Sequence, residues 1–307
     1  CVKLILVKYR QYLKFMHFRC VPNFFPLWRW LLGLLICLGL TSYAIADTAP
    51  KRIVSINLCA DELLLLLADP EQISALTHLS HDEGASYFQT KALAYPTTTG
   101  LAEEVLPFKP DLVIAGEWGG IQTVTLLKKL GLRVETLPLA NNMPQVFSNI
   151  ELMAKLTGHP ERGATLVKTM QDYLASLPPA DTHAPLAAVY DPNGYTVGPE
   201  SLRGQSMTLA GWRNAGELAG VRDYGSLDLE TMVRLQPEAL IDSPYTINTY
   251  SRAEALAQHP ALRGTRLNPK IISVPSNMTI CDGPWIIDTI ATLQRERLQL
   301  TQPKPAK

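Results

Sequence analysis

Cys59 stands where a β-branched stretch gives way to a leucine-rich one. A helix beginning there would lower the pKa of its thiol, and His78 and His81 follow closely enough to serve as a base, so a thiol reaction is the first chemistry to weigh. The run His78-Leu-Ser-His81-Asp82 also offers three groups that can ligate a metal, but its spacing is not that of a zinc site and a solvated loop accounts for it. Binding of a bare zinc or manganese ion remains the alternative reading. The signatures G-x-S-x-G, H-E-x-x-H, the phosphate loop and G-x-G-x-x-G do not occur, and no enzyme is expected.

The aromatic residues say more. Tyr87, Phe88, Trp118, Tyr195, Tyr245, Tyr250 and Trp285 fall in or beside loops that follow predicted strands. In open α/β sheets ligands bind beyond the carboxyl ends of the strands, so such loops would line a cleft. Seven aromatics at matching places in two halves of a chain suit a broad, flat, apolar ligand.

The elements that must position them alternate. Arg52–Ile56, Ile73–Leu76, Asp111–Ala115 and Leu132–Leu137 read as strands; Leu63–Ala68, after the polar turn Asn57–Glu62, and Gln122–Leu130 read as helices. Strands and helices joined by short Gly/Pro turns imply a parallel sheet covered on both faces. Met143–Leu156 and Glu161–Leu177 are helical by apolar spacing, interrupted at Gly158-His-Pro160 and stopped by Pro178-Pro179. A second lobe repeats the pattern, with strands at Leu186–Tyr190, Ala239–Asp242 and Lys270–Val274, a helix from Ser201 to about Ala210 and a closing helix Trp285–Leu298. Leu101–Ile114 can be laid over Leu227–Leu240. In both, a glutamate (Glu103, Glu230) stands seven residues before a proline (Pro110, Pro237), and an acid and an apolar strand follow.

Of 307 residues 47% are hydrophobic, enough for one large or two medium domains, and the formal charge is +0. That balance hides an asymmetry. Residues 1–46 hold six basic side chains and no acid, leaving 22 basic against 28 acidic side chains in the remainder, a net charge of −6. Nucleic acid is therefore not an expected partner. The basic stretch, the apolar run Trp30–Leu40 and Ala44-Ile-Ala46 have the order of a signal peptide cleaved before Asp47. Lipid attachment at Cys37 fits less well, since Leu34, Leu35 and Ile36 are not small. Export would leave two cysteines, Cys59 and Cys281, in an oxidising compartment, where a disulfide is the default and separate thiols the alternative.

The opening Arg52-Ile-Val-Ser-Ile-Asn-Leu-Cys-Ala-Asp-Glu-Leu63, Lys109-Pro-Asp-Leu-Val-Ile-Ala115 with Trp118-Gly-Gly120, the interlobe helix, and Val197-Gly-Pro-Glu-Ser201 together resemble the periplasmic substrate-binding proteins of ABC importers for iron chelates, haem and cobalamin. The resemblance implies an α/β fold of two Rossmann-like lobes joined by a single long helix, with the ligand cleft between them. The domains would be 1–46 signal peptide, 47–142 first lobe, 143–179 interlobe helical segment and 180–307 second lobe. It implies a monomeric periplasmic protein without a cofactor, whose ligand is a bulky metal chelate or corrinoid. Ligand contacts would come from Asn57, Tyr87, Phe88, Trp118, Tyr195, Tyr245 and Trp285. Glu103 and Glu230, one per lobe, would dock onto the permease, with Glu104 a near alternative. Cys59 and Cys281 would face each other across the cleft, either bridged or as thiols toward the ligand.

Overall fold

The computed structural model describes residues 49–179, 181–245, 259–262, 264 and 268–301; the proposed signal segment and Tyr250 lie outside them. Five parallel strands, β1 (Ile53–Ser55), β2 (Ile73–Thr77), β3 (Thr97–Thr98), β4 (Leu112–Gly116) and β5 (Val134–Leu137), form the first sheet in the order β3-β2-β1-β4-β5. Ile53, Val54, Leu112, Val113 and Ile114 are fully buried, which is why the central strands read as continuous apolar runs rather than alternating ones. Helices α1 (Leu58–Leu67), α2 (Gln89–Ala92), α3 (Ala102–Val105) and α4 (Ile121–Lys129) connect them.

Helix α1 starts five residues before the position its leucines suggest. Asn57 caps it, its Oδ1 accepting the N–H of Ala60 at 3.0 Å, so the expected polar turn Asn57–Glu62 is instead the cap and first turns of the helix. The polar residues there do not mark a solvated loop; Asp61 and Glu62 are both fully buried.

The connection between sheets is a packed pair of helices, α5 (Met143–Thr157) and α6 (Pro160–Ser176). Gly158, at φ 84°, ends the first and Pro160 opens the second. A Cβ on Gly163 would come within 2.4 Å of that of Ala154, so a glycine is needed where the two helices touch. The long interlobe helix of the sequence reading is thus α6, about 25 Å by its 17 residues, braced along α5.

The second lobe contains β6 (Leu186–Val189), β7 (Tyr195–Val197), α7 (Leu202–Leu209), β8 (Arg213–Asn214), α8 (Ala215–Leu218), β9 (Tyr224–Ser226), α9 (Leu229–Leu235), β10 (Ala239–Asp242), β11 (Lys270–Ser273) and α10 (Ile286–Thr301). Its parallel sheet has the order β11-β10-β6-β8, and β7 pairs with β9 in a separate antiparallel ribbon. Strands β3, β7, β8 and β9 were not expected from the sequence, being two or three residues long and too short to show a period.

The sequence repeat is a structural one. Lys109 and Gln236 both take the left-handed conformation, φ 48° and 51°, immediately before Pro110 and Pro237. The acid that follows then clamps the start of the sheet's neighbouring strand. Asp111 accepts the N–H groups of Lys51 and Arg52 at 3.0 and 2.9 Å, and its own N–H donates to Arg52 O. Glu238 likewise accepts from the N–H of Leu186 at 3.2 Å and returns its N–H to Leu186 O. Each lobe therefore uses the same device to align β1 with β4, or β6 with β10.

Candidate functional site

The carboxyl ends of β1, β4 and β5 deliver Asn57, Glu117–Gly119 and Pro138–Ala140 to one edge of the first lobe. They enclose a cavity of ≈ 200 Å³ with Cys59, Asn149 and, from the second lobe, Asp282. A Cβ on Gly116 would lie 2.4 Å from Asn57 Nδ2, so the glycine admits the capping amide to the cavity wall. Trp118 is 77% exposed and Leu139 is exposed beside it, leaving the cavity open on that side. An indole held in water at the mouth of a cavity is unburied surface that a flat apolar ligand would cover.

The edge of the cavity at Cys59 is closed. Cys59 and Cys281 form a disulfide with Cα atoms 5.2 Å apart, tying the start of α1 to the segment before α10. Around the bridge, Tyr87 stacks on Trp285 at 5.8 Å between centroids, and Phe88 meets Trp285 edge-on at 5.9 Å. Tyr87 OH donates to the Asp288 carboxylate, Tyr245 OH to Asp82 at 2.7 Å, Ser276 OH to Gly84 O at 2.5 Å and Asn277 Nδ2 to Glu83 O at 3.0 Å.

This arrangement places several of the expected ligand residues in the seam between the lobes. Trp285 is 2% exposed, with its indole N–H donated to Cys281 O at 2.7 Å, and it packs within that seam. The cause is Gly283: the indole folds back over it, with ring atoms 2.2 Å from where a Cβ would stand. Tyr87 and Phe88 belong to the same half-buried cluster, and the hydroxyl of Tyr245 is spent on the rim. Tyr195 lies on β7, not in a loop, and stacks on Tyr224 at 6.0 Å.

The Tyr195–Tyr224 stack stands on the β7–β9 ribbon of the second lobe. Its charged neighbours are Asp191, Arg203, Asp223 and Asp282. Arg203 pairs with Asp191 and donates to Ser243 at 3.0 Å. Burial pushes the Asp282 carboxyl up to about 7, against the pull of Arg203. Asp282 also lines the cavity beside Asn57 and Trp118, and its charge acts on Tyr224.

Two further acids sit behind the first wall. Asp61 accepts the N–H and hydroxyl of Thr77 at 3.0 and 2.6 Å, and Glu62 accepts the N–H of Tyr87 at 2.6 Å, each with its second oxygen unpartnered. Burial raises them to about 7 and about 8. They hold the end of β2 and the rim loop from inside. Glu103 and Glu230 lie exposed in the first turns of α3 and α9, at equivalent places in the repeat, whereas Glu104 is engaged by the N–H and hydroxyl of Thr99. Among the described residues no three His, Cys, Asp or Glu side chains come together as a metal-holding group. His81 faces Ala92 O at 3.0 Å instead. Among the described residues no helix is long and apolar enough to cross a membrane.

The sequence pattern of the periplasmic binding protein family matches residues 53–266. The chain belongs to that family. The cobalamin-binding protein of Halobacterium salinarum is 25% identical over 256 residues, covering 80% of this chain and 69% of its own. Among solved structures, the periplasmic haem-binding protein HutB of Vibrio cholerae superposes with a TM-score of 0.67 at 19% identity, covering 82% of this chain and 99% of its own. The vitamin B12-binding protein BtuF of the same organism gives 0.58 at 17%, covering 83% and 99%. These structural likenesses establish the two-lobed fold.

Of the residues around the cavity and the tyrosine stack, sequence reasoning missed Arg203, Tyr224 and Asp282. Asp282 follows a cysteine already singled out, and Arg203 lies in the first turn of the helix that Ser201 caps. Tyr224 had no signal, since its strand exists only through pairing with β7.

Proposed function

We propose that the protein is the extracytoplasmic solute-binding component of an ABC importer, which captures a bulky metal chelate between its lobes and delivers it to the membrane permease. Residues 1–46 act as a cleavable signal for export. The observation that carries the reading is the open cleft with an exposed indole, Trp118, on one lobe and a stacked tyrosine pair, Tyr195–Tyr224, on the other. Two sets of exposed aromatics suit a flat macrocycle. The two cysteines among the described residues are joined in the bridge. A cavity of ≈ 200 Å³ is below the roughly 300–1,000 Å³ of small-molecule sites, so the ligand extends out over Trp118 and Leu139.

Delivery falls to Glu103 and Glu230, monomer docking to permease through one exposed carboxylate per lobe. Charge at such a rim sets orientation and encounter rate while leaving the ligand cleft untouched. Purified protein exposed in turn to haem, cobalamin and a ferric siderophore, then freed of excess ligand, should retain the absorption spectrum of one of them at a stoichiometry near one. Retention of none would refute the reading.

A further inference from the structure

We infer that the cleft selects an uncharged or cationic chelate rich in hydrogen-bond donors, of the corrinoid type, over a polyanionic one. The inference rests on the chelate-capture reading above and narrows it to one class of ligand. Glu117 and Asp282 line the cavity, and Asp191 and Asp223 flank the Tyr195–Tyr224 stack. Four carboxylates thus face a single cation, Arg203, among the described residues of this set. That guanidinium is only 15% exposed and is already paired with Asp191 and bonded to Ser243. Arg222, next to Asp223, is 81% exposed and paired with Glu200.

Hydrogen-bonding capacity leads to the same class. Asp191 and Asp223 each keep one buried carboxylate oxygen without a partner. Ionised carboxylates only accept, so surroundings rich in them suit a ligand that brings N–H donors. Haem presents two propionates and a ferric tris-catecholate three net negative charges; both bring acceptors and like charge to a wall that already has an excess of each. Recognising them would need unpaired arginines or lysines. A corrinoid carries a fringe of neutral carboxamides whose N–H groups are donors, on a flat macrocycle sized for two aromatic walls. With water as its upper axial ligand it is also cationic.

The experiment is a tryptophan-fluorescence titration of the full chain near neutral pH with cyanocobalamin, aquocobalamin, haemin and a ferric tris-catecholate, each at low and high salt. The expected result is corrinoid binding at least a hundredfold tighter than either anionic chelate. Aquocobalamin should be preferred to cyanocobalamin by about tenfold at low salt, a gap that closes at high salt as the charges are screened. Asp282→Asn should shrink that gap and improve haemin binding. Haemin or the ferric catecholate binding as tightly as the corrinoids would overturn the selectivity while leaving chelate capture intact. Binding of none of the four would remove both.

Discussion

Reduction of the Cys59–Cys281 bridge tests how the closed rim is held. The two residues are 222 apart in sequence, and closing a loop of that length removes enough unfolded-chain entropy to stabilise the native state by about 5 kcal/mol. For a folded body of this size, each kcal/mol moves the melting temperature by about 2 °C, so reduction should lower it by about 10 °C. The fall should come from the unfolded chain and not from lost packing. Cys281 is buried against Trp285, and the tyrosine stack and four rim hydrogen bonds remain when the sulfurs part. Ligand affinity should accordingly change little while the melting temperature drops. The assay is scanning calorimetry with and without reductant, together with a thiol count in denaturant, which should rise by two upon reduction. A Cys59→Ser, Cys281→Ser double variant should melt near the reduced protein and ignore reductant. Equal melting temperatures for the oxidised and reduced forms, or an unchanged thiol count, would refute the reasoning.

Other outcomes follow from the same geometry. Trp285→Ala should destabilise the fold by about 3–5 kcal/mol in denaturant titrations, whereas Trp118→Ala should leave the unfolding midpoint in place and weaken ligand binding at least tenfold; the reverse pattern would exchange their roles. Asp61 and Glu62 are raised to about 7 and about 8 in the fold, above their ordinary values near 4, so stability present at acid pH should decline as pH rises toward 8 and then level off. Glu62→Gln should flatten part of that decline, and a wild-type curve that rises over this range would contradict the burial argument. Replacing Glu103 and Glu230 together by Ala should abolish transport in a whole-cell uptake assay with no change in ligand affinity, and normal uptake would end their assignment to docking.

Much of this molecule was legible in its sequence because the signals are local. Apolar runs such as Leu112–Ala115 mark strands buried on both faces, Gly158 and Pro160 mark the break between α5 and α6, and the repeat around Pro110 and Pro237 marks two equivalent lobes. Cys59 and Cys281 could be paired by count and compartment, since only two cysteines remain after residue 46. Local patterning likewise placed Trp118 just beyond a strand end.

What a side chain faces is a different quantity, set by which distant segment arrives against it. Trp118 and Trp285 each stand two residues after a glycine, yet one is 77% exposed and the other 2%, because the rim loop Asp82–Phe88 and the disulfide close over the second and nothing among the described residues closes over the first. The same contact leaves Tyr87 and Phe88 half-buried against Trp285. Asp61 and Glu62 read as a polar turn because their burial depends on Thr77 and Tyr87, 16 and 25 residues away, which supply the hydrogen bonds that make a buried carboxyl tolerable. Composition and spacing thus determined the two-lobed α/β framework and the edge at which a ligand could sit. Only tertiary packing decided which aromatics stay exposed and which hold the lobes together, since burial is a property of pairs of segments that no local pattern encodes.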